Sequence, residues 1–304
     1  MHHRILRAIA SQPWAISSQG MDTMLGVLQY RMQNGHLSAQ DIEARLDKRK
    51  ENQVASRSGS IAVIRVHGTI TNRMGMFSDI SGGASAEATE RAVRTAYDDD
   101  AVKAIVIDMD TPGGSVGGIP ELADTIRSLR GGDTPIVVQV NDMAASAGIW
   151  IASAADEIVA SPSSMVGSIG VISVHEEVSK MLAEMGVTET IITSSPYKGE
   201  GNPYQPLTEE ALEHLQDMVN RYDAMFDQAV AEGRGVSTKQ VNEDFGQGRV
   251  MLAAEAVKVG LIDRVGTMRE TLQRFGAKES PQRNRATRPS VPLARKRLNL
   301  KEER

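Results

Sequence analysis

A serine and a lysine stand out as residues that together could hydrolyse an acyl bond. Ser146 lies in the run Met-Ala-Ala-Ser-Ala-Gly, and Lys198 lies in the run Ser-Pro-Tyr-Lys-Gly. A serine hydroxyl becomes an effective nucleophile when a base removes its proton. A lysine can be that base only where burial lowers the pKa of an ammonium group enough to leave it neutral. Taken alone, the pair is equally compatible with a helix-capping serine and a surface lysine.

The residues around Ser146 favour the catalytic interpretation. The apolar run over residues 136–140 predicts a buried strand, residues 141–142 predict a turn, and the small residues over 143–155 predict a tightly packed helix. A serine between a strand and a helix places its hydroxyl near the helix N-terminus. Unpaired N–H groups there stabilise developing negative charge.

A third segment could supply the groups that bind such a charge. Gly113 and Gly114 follow the apolar run over residues 104–107, which predicts a second buried strand. Two glycines after a strand predict a sharp turn with N–H groups that no side chain covers. Beside a nucleophile, such N–H groups form an oxyanion hole. A Gly-Gly turn is weak evidence by itself, but Gly-Gly, Ala-Ala-Ser-Ala-Gly and Tyr-Lys in this order form a specific combination.

With these segments the chain resembles the signal peptide peptidase A (SppA) family of serine–lysine peptidases. The resemblance extends over about residues 61–266. It includes Ile61-Ala-Val-Ile-Arg-Val-His-Gly-Thr-Ile, the Pro-Gly-Gly-Ser-Val loop, Ala154-Ala-Asp-Glu-Ile-Val-Ala, Gly167-Ser-Ile-Gly-Val, Tyr197-Lys198 and Glu255-Ala-Val-Lys-Val-Gly-Leu-Ile-Asp.

The resemblance implies a role for each residue that matches a family motif. Ser146 is implied to be the nucleophile, Lys198 the general base, and Ser168 the hydroxyl that orients the lysine. The N–H groups of the oxyanion hole are implied to come from Gly113, Gly114 and Ala147. Many family members have glycine at the position of Ala147, but an alanine N–H serves equally well.

The chain is predicted to have three parts. Residues 1–58 are predicted to form an N-terminal helical arm. Residues 59–270 alternate strand and helix patterns, which predicts an α/β fold of stacked β–α units, and the resemblance makes this fold ClpP/crotonase-like. Residues 271–304 are predicted to form a disordered basic tail, because residues 277–304 contain nine Lys or Arg against three Glu. Docking of an acidic partner is the alternative role for this tail.

Composition limits the other classes of function. The absence of cysteine excludes disulfides and thiolate nucleophiles, and the six histidines show no paired metal-ligand spacing, so no metal or cofactor is expected. The N-terminus lacks the apolar core of a signal peptide, and no apolar run is long enough to span a membrane. We therefore expect a cytoplasmic protein, or one of a virion precursor if it is phage-encoded. Nucleic acid is not expected as a partner.

An arm, one peptidase domain and a short basic tail resemble the phage branch of the family, the capsid-assembly (prohead) proteases. This branch implies a phage scaffold or capsid protein as the protein or peptide substrate, and the family implies a homo-oligomer. A helical stripe after Thr208, from Leu212 to Val230, predicts core packing or a subunit contact.

Four alternatives remain open. The chain could be a cytoplasmic SppA-like peptidase that degrades peptides, or an inactive scaffold or shell component. His175, 29 residues after Ser146, could instead form a Ser-His-Asp triad. A crotonase-type acyl-CoA enzyme would share the architecture but would need no Ser–Lys pair.

Overall fold

The computed structural model describes residues 12–34, 55–73 and 83–277. Its strands are β1 (Trp14–Ile16), β2 (Ala55–Ser58), β3 (Ile61–His67), β4 (Ile70–Thr71), β5 (Ala84–Ser85), β6 (Ala104–Thr111), β7 (Gly113–Ser115), β8 (Ile136–Ala145), β9 (Glu157–Ala160), β10 (Met165–Gly167), β11 (Val250–Leu252) and β12 (Arg264–Val265). Its helices are α1 (Ser18–Asn34), α2 (Ala86–Tyr97), α3 (Ile119–Leu129), α4 (Ala147–Ser153), α5 (Ser179–Glu184), α6 (Glu209–Arg234), α7 (Thr238–Asp244), α8 (Ala253–Val259) and α9 (Met268–Arg274).

Eight of the described strands form one sheet. Its main path is β11-β10-β8-β6-β3-β2, with β9 paired to β8 and β12 paired to β9. Strands β3, β6, β8 and β10 are parallel neighbours, whereas β2 and β11 are antiparallel. The central strands consist largely of buried Ile, Val and Ala, as expected for a parallel sheet covered on both faces. The α/β prediction is thus confirmed, and the ends of β6 and β8 bring the glycine and serine motifs to one edge.

The glycines predicted to form a simple turn instead form β7, in a second sheet of the described chain with order β1-β7-β4-β5. Strand β1 is antiparallel to β7, and β4 is parallel to it. A Cβ on Gly114 would overlap the carbonyl oxygen of Ile70 in β4. The turn prediction was therefore wrong. The glycines are needed because β7 lies so close to β4 that a residue with a side chain would not fit between them.

The predicted turn at residues 141–142 was also wrong. Strand β8 continues without a break through Ala145, and α4 contains only seven residues. Along this extension β8 pairs with β10, from Met143 opposite Met165 to Ala145 opposite Gly167. The backbone hydrogen bonds to β10 thus replace the first turn of the predicted helix.

Helix α6 follows the predicted stripe, but this chain covers only part of it. Thr208 caps the helix with its side chain, as predicted. Near the other end, Phe226 and Val230 are fully buried, and Phe226 stacks on Trp150 of α4 with the ring centroids 4.5 Å apart. Leu212, in the first turn, is 54% exposed. The helix therefore supports α4 with its second half and leaves apolar surface in its first half.

The predicted boundary after residue 270 falls inside helix α9, and the predicted arm contains strands as well as a helix. Strand β1 and helix α1 lie in the predicted arm, as does β2, which pairs with β3. Helix α9 extends beyond residue 270, and its Thr271 is buried and donates a hydrogen bond to Gln139 of β8 at 2.6 Å. The predicted tail from residue 278 onward lies outside the described residues.

An ion pair joins the end of α6 to the segment before β12. Arg234 donates to both carboxylate oxygens of Asp263, at 2.7 and 3.0 Å, and the N–H of Ile158 donates to the same carboxylate at 2.7 Å. Burial alone raises the pKa of Asp263, but Arg234 and the Ile158 N–H together bring it below the usual value for aspartate. The Asp263 carboxylate therefore binds a proton less readily in the folded state than in the unfolded state.

We expect Asp263→Asn to lower the free energy of unfolding by about 2 kcal/mol at neutral pH, because it leaves the Arg234 guanidinium, 8% exposed, without its charge partner. The effect is smaller than for a fully buried pair because the Asp263 side chain is 36% exposed. Since the folded pKa is depressed, the stabilisation is present above the unfolded pKa and lost as pH falls through the folded pKa.

Urea unfolding at neutral and acidic pH measures both effects. Asp217→Asn is the matched control, because Asp217 pairs with Arg221 on the exposed face of α6 and should change stability by less than about 0.5 kcal/mol. Equal effects of the two substitutions would contradict the assignment.

Candidate active site

The nucleophile candidate stands in a strained position between a strand and a helix. Ser146 connects β8 to α4 and has φ 52° and ψ −115°, in a region that residues with a side chain rarely adopt. Its N–H donates to the Gly167 carbonyl at 2.8 Å, and its hydroxyl donates to the Gly170 carbonyl at 3.3 Å. Such strain costs of the order of 1–3 kcal/mol and is concentrated at functional sites. Ser146 is fully buried.

The second predicted serine lies beside the first. Ala145 and Gly167 are opposite each other in the β8–β10 pair, so Ser146 and Ser168 are the residues that follow directly on neighbouring strands. Ser168 also has a positive φ, 55°, and is 9% exposed. Its N–H donates to the Arg249 carbonyl at 2.8 Å. The structure therefore brings these two predicted site residues together.

Strand β7, the glycine strand, lies along one side of Ser146. Gly113 has φ +109°, and a Cβ on it would lie 3.0 Å from the Cβ of Ser146. Its N–H donates to the hydroxyl oxygen of Thr111 at 3.1 Å, and that hydroxyl donates to the Gly68 carbonyl at 2.6 Å. Sequence reasoning did not identify Thr111, although its place just before Pro-Gly-Gly was a usable signal. Thr111 fixes the strand that carries the predicted oxyanion groups.

The structure does not place the predicted base in a buried position beside the nucleophile. Lys198 is exposed, in a segment without helix or strand between α5 and α6. Its backbone N–H donates to the Ser195 carbonyl at 3.2 Å, but its ammonium group makes no hydrogen bond or ion pair to another described residue. Tyr197 bonds to Glu210 of α6, which raises the pKa of the Tyr197 phenol. The segment that carries Lys198 is thus attached to α6, and the Lys198 side chain is exposed to solvent.

His175, the alternative base, contacts a different partner. Its Nε2 lies 3.2 Å from the Asn202 carbonyl oxygen, in the same segment as Lys198. The His175 imidazole is therefore in contact with a backbone carbonyl group.

A cleft of about 620 Å³ opens beside Ser146, at Gly170. Its lining includes Val171, Val219 and two aspartates, Asp223 and Asp227. Burial raises the pKa of both aspartates. The cleft thus combines an apolar wall with carboxyl groups that are less acidic than usual, next to the residue whose carbonyl accepts the Ser146 hydroxyl.

A polar cluster lies at the ends of the central strands. His67 lies 3.3 Å from a carboxylate oxygen of Asp108, and the Asn141 amide donates to the other oxygen at 2.6 Å. The hydrogen bond with Asp108 raises the pKa of His67. Within the ranges that the structure describes, no group of three or more His, Cys, Asp or Glu side chains could hold a metal ion. None of the described helices is long and apolar enough to cross a membrane.

Comparison with known proteins identifies the family. The sequence model of peptidase family S49 matches residues 129–280. The chain is 35% identical over 205 residues to capsid assembly protease C of Escherichia phage lambda. The aligned region covers 67% of this chain and 46% of that protein. The chain is 30% identical over 269 residues to Protease 4 of Salmonella typhi, and this aligned region covers 83% of the chain and 43% of that protein.

A third relative is the head-tail preconnector protein GP5 of Enterobacteria phage P21, 31% identical over 205 residues, which cover 67% of this chain and 40% of that protein. The chain thus spans less than half the length of these three relatives. The family match covers half of the chain and includes Ser146, Ser168 and Lys198. These matches confirm the resemblance to SppA-like peptidases, and the chain belongs to peptidase family S49.

Proposed function

We propose that this chain is a serine endopeptidase in which Ser146 is the nucleophile and Lys198 the general base, on a ClpP/crotonase-like fold. The observation that carries the proposal is the position of Ser146. It is held at positive φ at the start of α4, between the glycine strand β7 and the Gly167–Gly170 segment. A hydroxyl that only capped a helix would not require this strained backbone.

The proposed reaction is acyl transfer. The Ser146 hydroxyl attacks the scissile carbonyl carbon and gives its proton to the neutral amine of Lys198, which then protonates the leaving amine. Water activated by the same amine hydrolyses the acyl-enzyme. The N–H groups of Ala147 and Gly114 bind the oxyanion. The Ala147 N–H has no acceptor within its own helix, because Ala147 is the first residue of α4. The Gly113 N–H holds β7 in place through Thr111, and Ser168 orients the lysine.

The position of Lys198 favours an assembly. A lysine that acts as a base must be desolvated, and a single chain leaves Lys198 exposed. The surrounding segment also exposes large apolar side chains, with Met185 at 69%, Ile192 at 92% and Leu212 at 54% exposure. We propose that a second copy of the chain covers this surface and completes each active site.

Light scattering of the purified protein is therefore expected to give the mass of a homo-oligomer. Ile192→Asp should shift the mass toward that of the monomer and lower proteolysis, because it places a charge in the proposed interface. Glu213→Ala, on the exposed face of α6, is the matched control and should keep both the mass and the activity. A wild-type protein that is monomeric and fully active would overturn the assembly proposal.

The proposed substrate is a phage scaffold or capsid protein. The support is the similarity to capsid assembly protease C and to the head-tail preconnector protein GP5. Peptide degradation, as a cellular SppA-like peptidase, is the second candidate and is favoured by the similarity to Protease 4. Docking of an acidic partner is the alternative role for the basic tail.

Hydrolysis of fluorescent casein and of phage scaffold protein by the purified chain tests the proposal. We expect cleavage of both, with faster cleavage of scaffold, and covalent labelling of the protein by a fluorophosphonate. A folded chain that cleaves neither substrate and resists labelling would instead be the inactive scaffold or shell component.

A further inference from the structure

Strand β1 lies in a slot whose two edges both border the nucleophile. On one edge β1 is antiparallel to the glycine strand β7. On the other edge Trp14 exchanges two backbone hydrogen bonds with Ile172, each 2.9 Å long. Ile172 follows closely after Gly170, whose carbonyl accepts the Ser146 hydroxyl. The three residues of β1 therefore satisfy backbone groups on both sides of the site.

The register between β1 and β7 places a carbonyl of β1 opposite a proposed oxyanion donor. The N–H of Ser17 donates to the Pro112 carbonyl at 2.8 Å, which marks one hydrogen-bonded pair of the ladder. Ala15 is opposite Gly114, two residues further along each strand. Because hydrogen-bonded pairs recur every two residues in an antiparallel ladder, the Ala15 carbonyl faces the Gly114 N–H. A substrate carbonyl would need the same donor.

The backbone of β1 also comes close to the nucleophile itself. A Cβ placed on Gly113 would overlap the Ala15 carbonyl oxygen, and it would lie 2.8 Å from the Cα of Ile16 and 3.0 Å from the Cβ of Ser146. The strand and the nucleophile thus meet at this one glycine. With β1 in place Ser146 has no solvent-exposed surface, so a protein substrate has no access to its hydroxyl.

The side chains of β1 show what the slot accepts. Trp14, Ala15 and Ile16 are at most 3% exposed. Because side chains alternate along a strand, Trp14 and Ile16 point to one face and Ala15 to the other. One face of the slot therefore encloses an aromatic and an aliphatic side chain. The slot is therefore built for an extended apolar segment.

We propose that β1 is an intramolecular pseudosubstrate. It occupies the position of a substrate strand beside Ser146, so that a substrate with an extended apolar segment enters only after β1 leaves. This proposal rests on the proposed peptidase function and adds its regulation and its substrate class.

The test compares the wild-type chain with two variants, a deletion of residues 1–17 and the double substitution Trp14→Asp with Ile16→Asp. Both variants should label with a fluorophosphonate and cleave fluorescent casein at least about tenfold faster than wild type. Gln19→Asp, on the exposed side of α1, is the matched control and should behave as wild type. Cooperative thermal unfolding shows which variants are folded.

A second measurement needs no disrupted fold. A peptidyl fluorophosphonate with an apolar sequence is added to the wild-type chain until Ser146 is fully labelled, and the tryptophan emission is recorded. Displacement of β1 exposes Trp14 and shifts the emission to longer wavelength, and the shift should be absent in Trp14→Phe. Emission that stays constant on full labelling would overturn the proposal.

A binding arm separates this proposal from the peptidase function. The deletion variant that also carries Ser146→Ala should bind a labelled peptide of residues 12–17. The same peptide with Trp14 and Ile16 replaced by aspartate should bind at least about tenfold more weakly. Casein cleavage that depends on Ser146 but is not raised in a folded β1 variant would reject only the pseudosubstrate. Binding of the peptide without any cleavage by any variant would support the slot and reject the peptidase function.

Discussion

Replacing Ser146 by alanine is expected to abolish proteolysis and leave the fold intact. The substitution removes one hydroxyl, and alanine fits the junction between β8 and α4 as well as serine does. Loss of a nucleophile lowers the turnover number by several orders of magnitude, of the order of 10⁴-fold or more. Cleavage of fluorescent casein and labelling by a fluorophosphonate measure the loss, and thermal unfolding measures the fold.

Ser153→Ala is the matched control for this substitution. Ser153 is another fully buried serine, at the last position of the helix that follows Ser146, and its hydroxyl donates to the Trp150 carbonyl at 2.8 Å. This variant loses a buried hydroxyl from the same helix but should cleave and label as the wild type does. If Ser146→Ala retained even a tenth of the wild-type turnover, Ser146 would not be the nucleophile.

The segment around Ser146 stands out in the sequence because its signals are local. An apolar strand, a serine and a run of small residues are adjacent in the chain, and the structure places Ser146 between strand and helix. The cap at Thr208 was predicted for the same reason, since a capping side chain bonds to a residue three positions later. The positive φ of Ser146 and Ser168 was not predictable, because serine has no intrinsic preference for that conformation.

Features that depend on distant partners were missed or placed wrongly. Strand β8 extends through residues 141–145 because β10, about twenty residues later, offers it a parallel partner. Strand β1 has only three residues, and its hydrogen-bonding partners come about 100 and about 160 residues later. Neither a period of two nor a turn signal can be read from three residues. The slot beside Ser146 therefore became visible only in the folded chain.

The structure of one chain leaves Lys198 without the burial that its proposed role requires. The motif Tyr197-Lys198 was recognisable in the sequence, but the burial that a base requires comes from packing. The structure leaves the lysine exposed next to an exposed apolar surface. The lysine is thus the part of the proposed site on which a mutational test is most informative.

Lys198→Arg is expected to be as inactive as Lys198→Ala, with a loss of about 10³-fold or more in turnover. Arginine keeps the positive charge but cannot supply a neutral amine, so a lysine that acted only as a cation would tolerate the change and a general base would not. Ser168→Ala should lower the rate less, because it removes an orienting hydroxyl and leaves nucleophile and base in place. Casein cleavage at constant protein concentration measures the series.

Two controls and a pH profile separate the lysine mechanism from the histidine alternative. Lys180→Ala removes an exposed lysine from the preceding helix α5 and should retain wild-type activity. His175→Ala should retain substantial activity, because the structure engages that imidazole with the Asn202 carbonyl. A base that must lose a proton from an ammonium group gives a rate that climbs between about pH 6 and about pH 9, whereas an unperturbed histidine is already mostly neutral at about pH 7. A dispensable Lys198, an essential His175 and a rate that no longer climbs above about pH 7.5 would together reject the serine–lysine mechanism in favour of a triad.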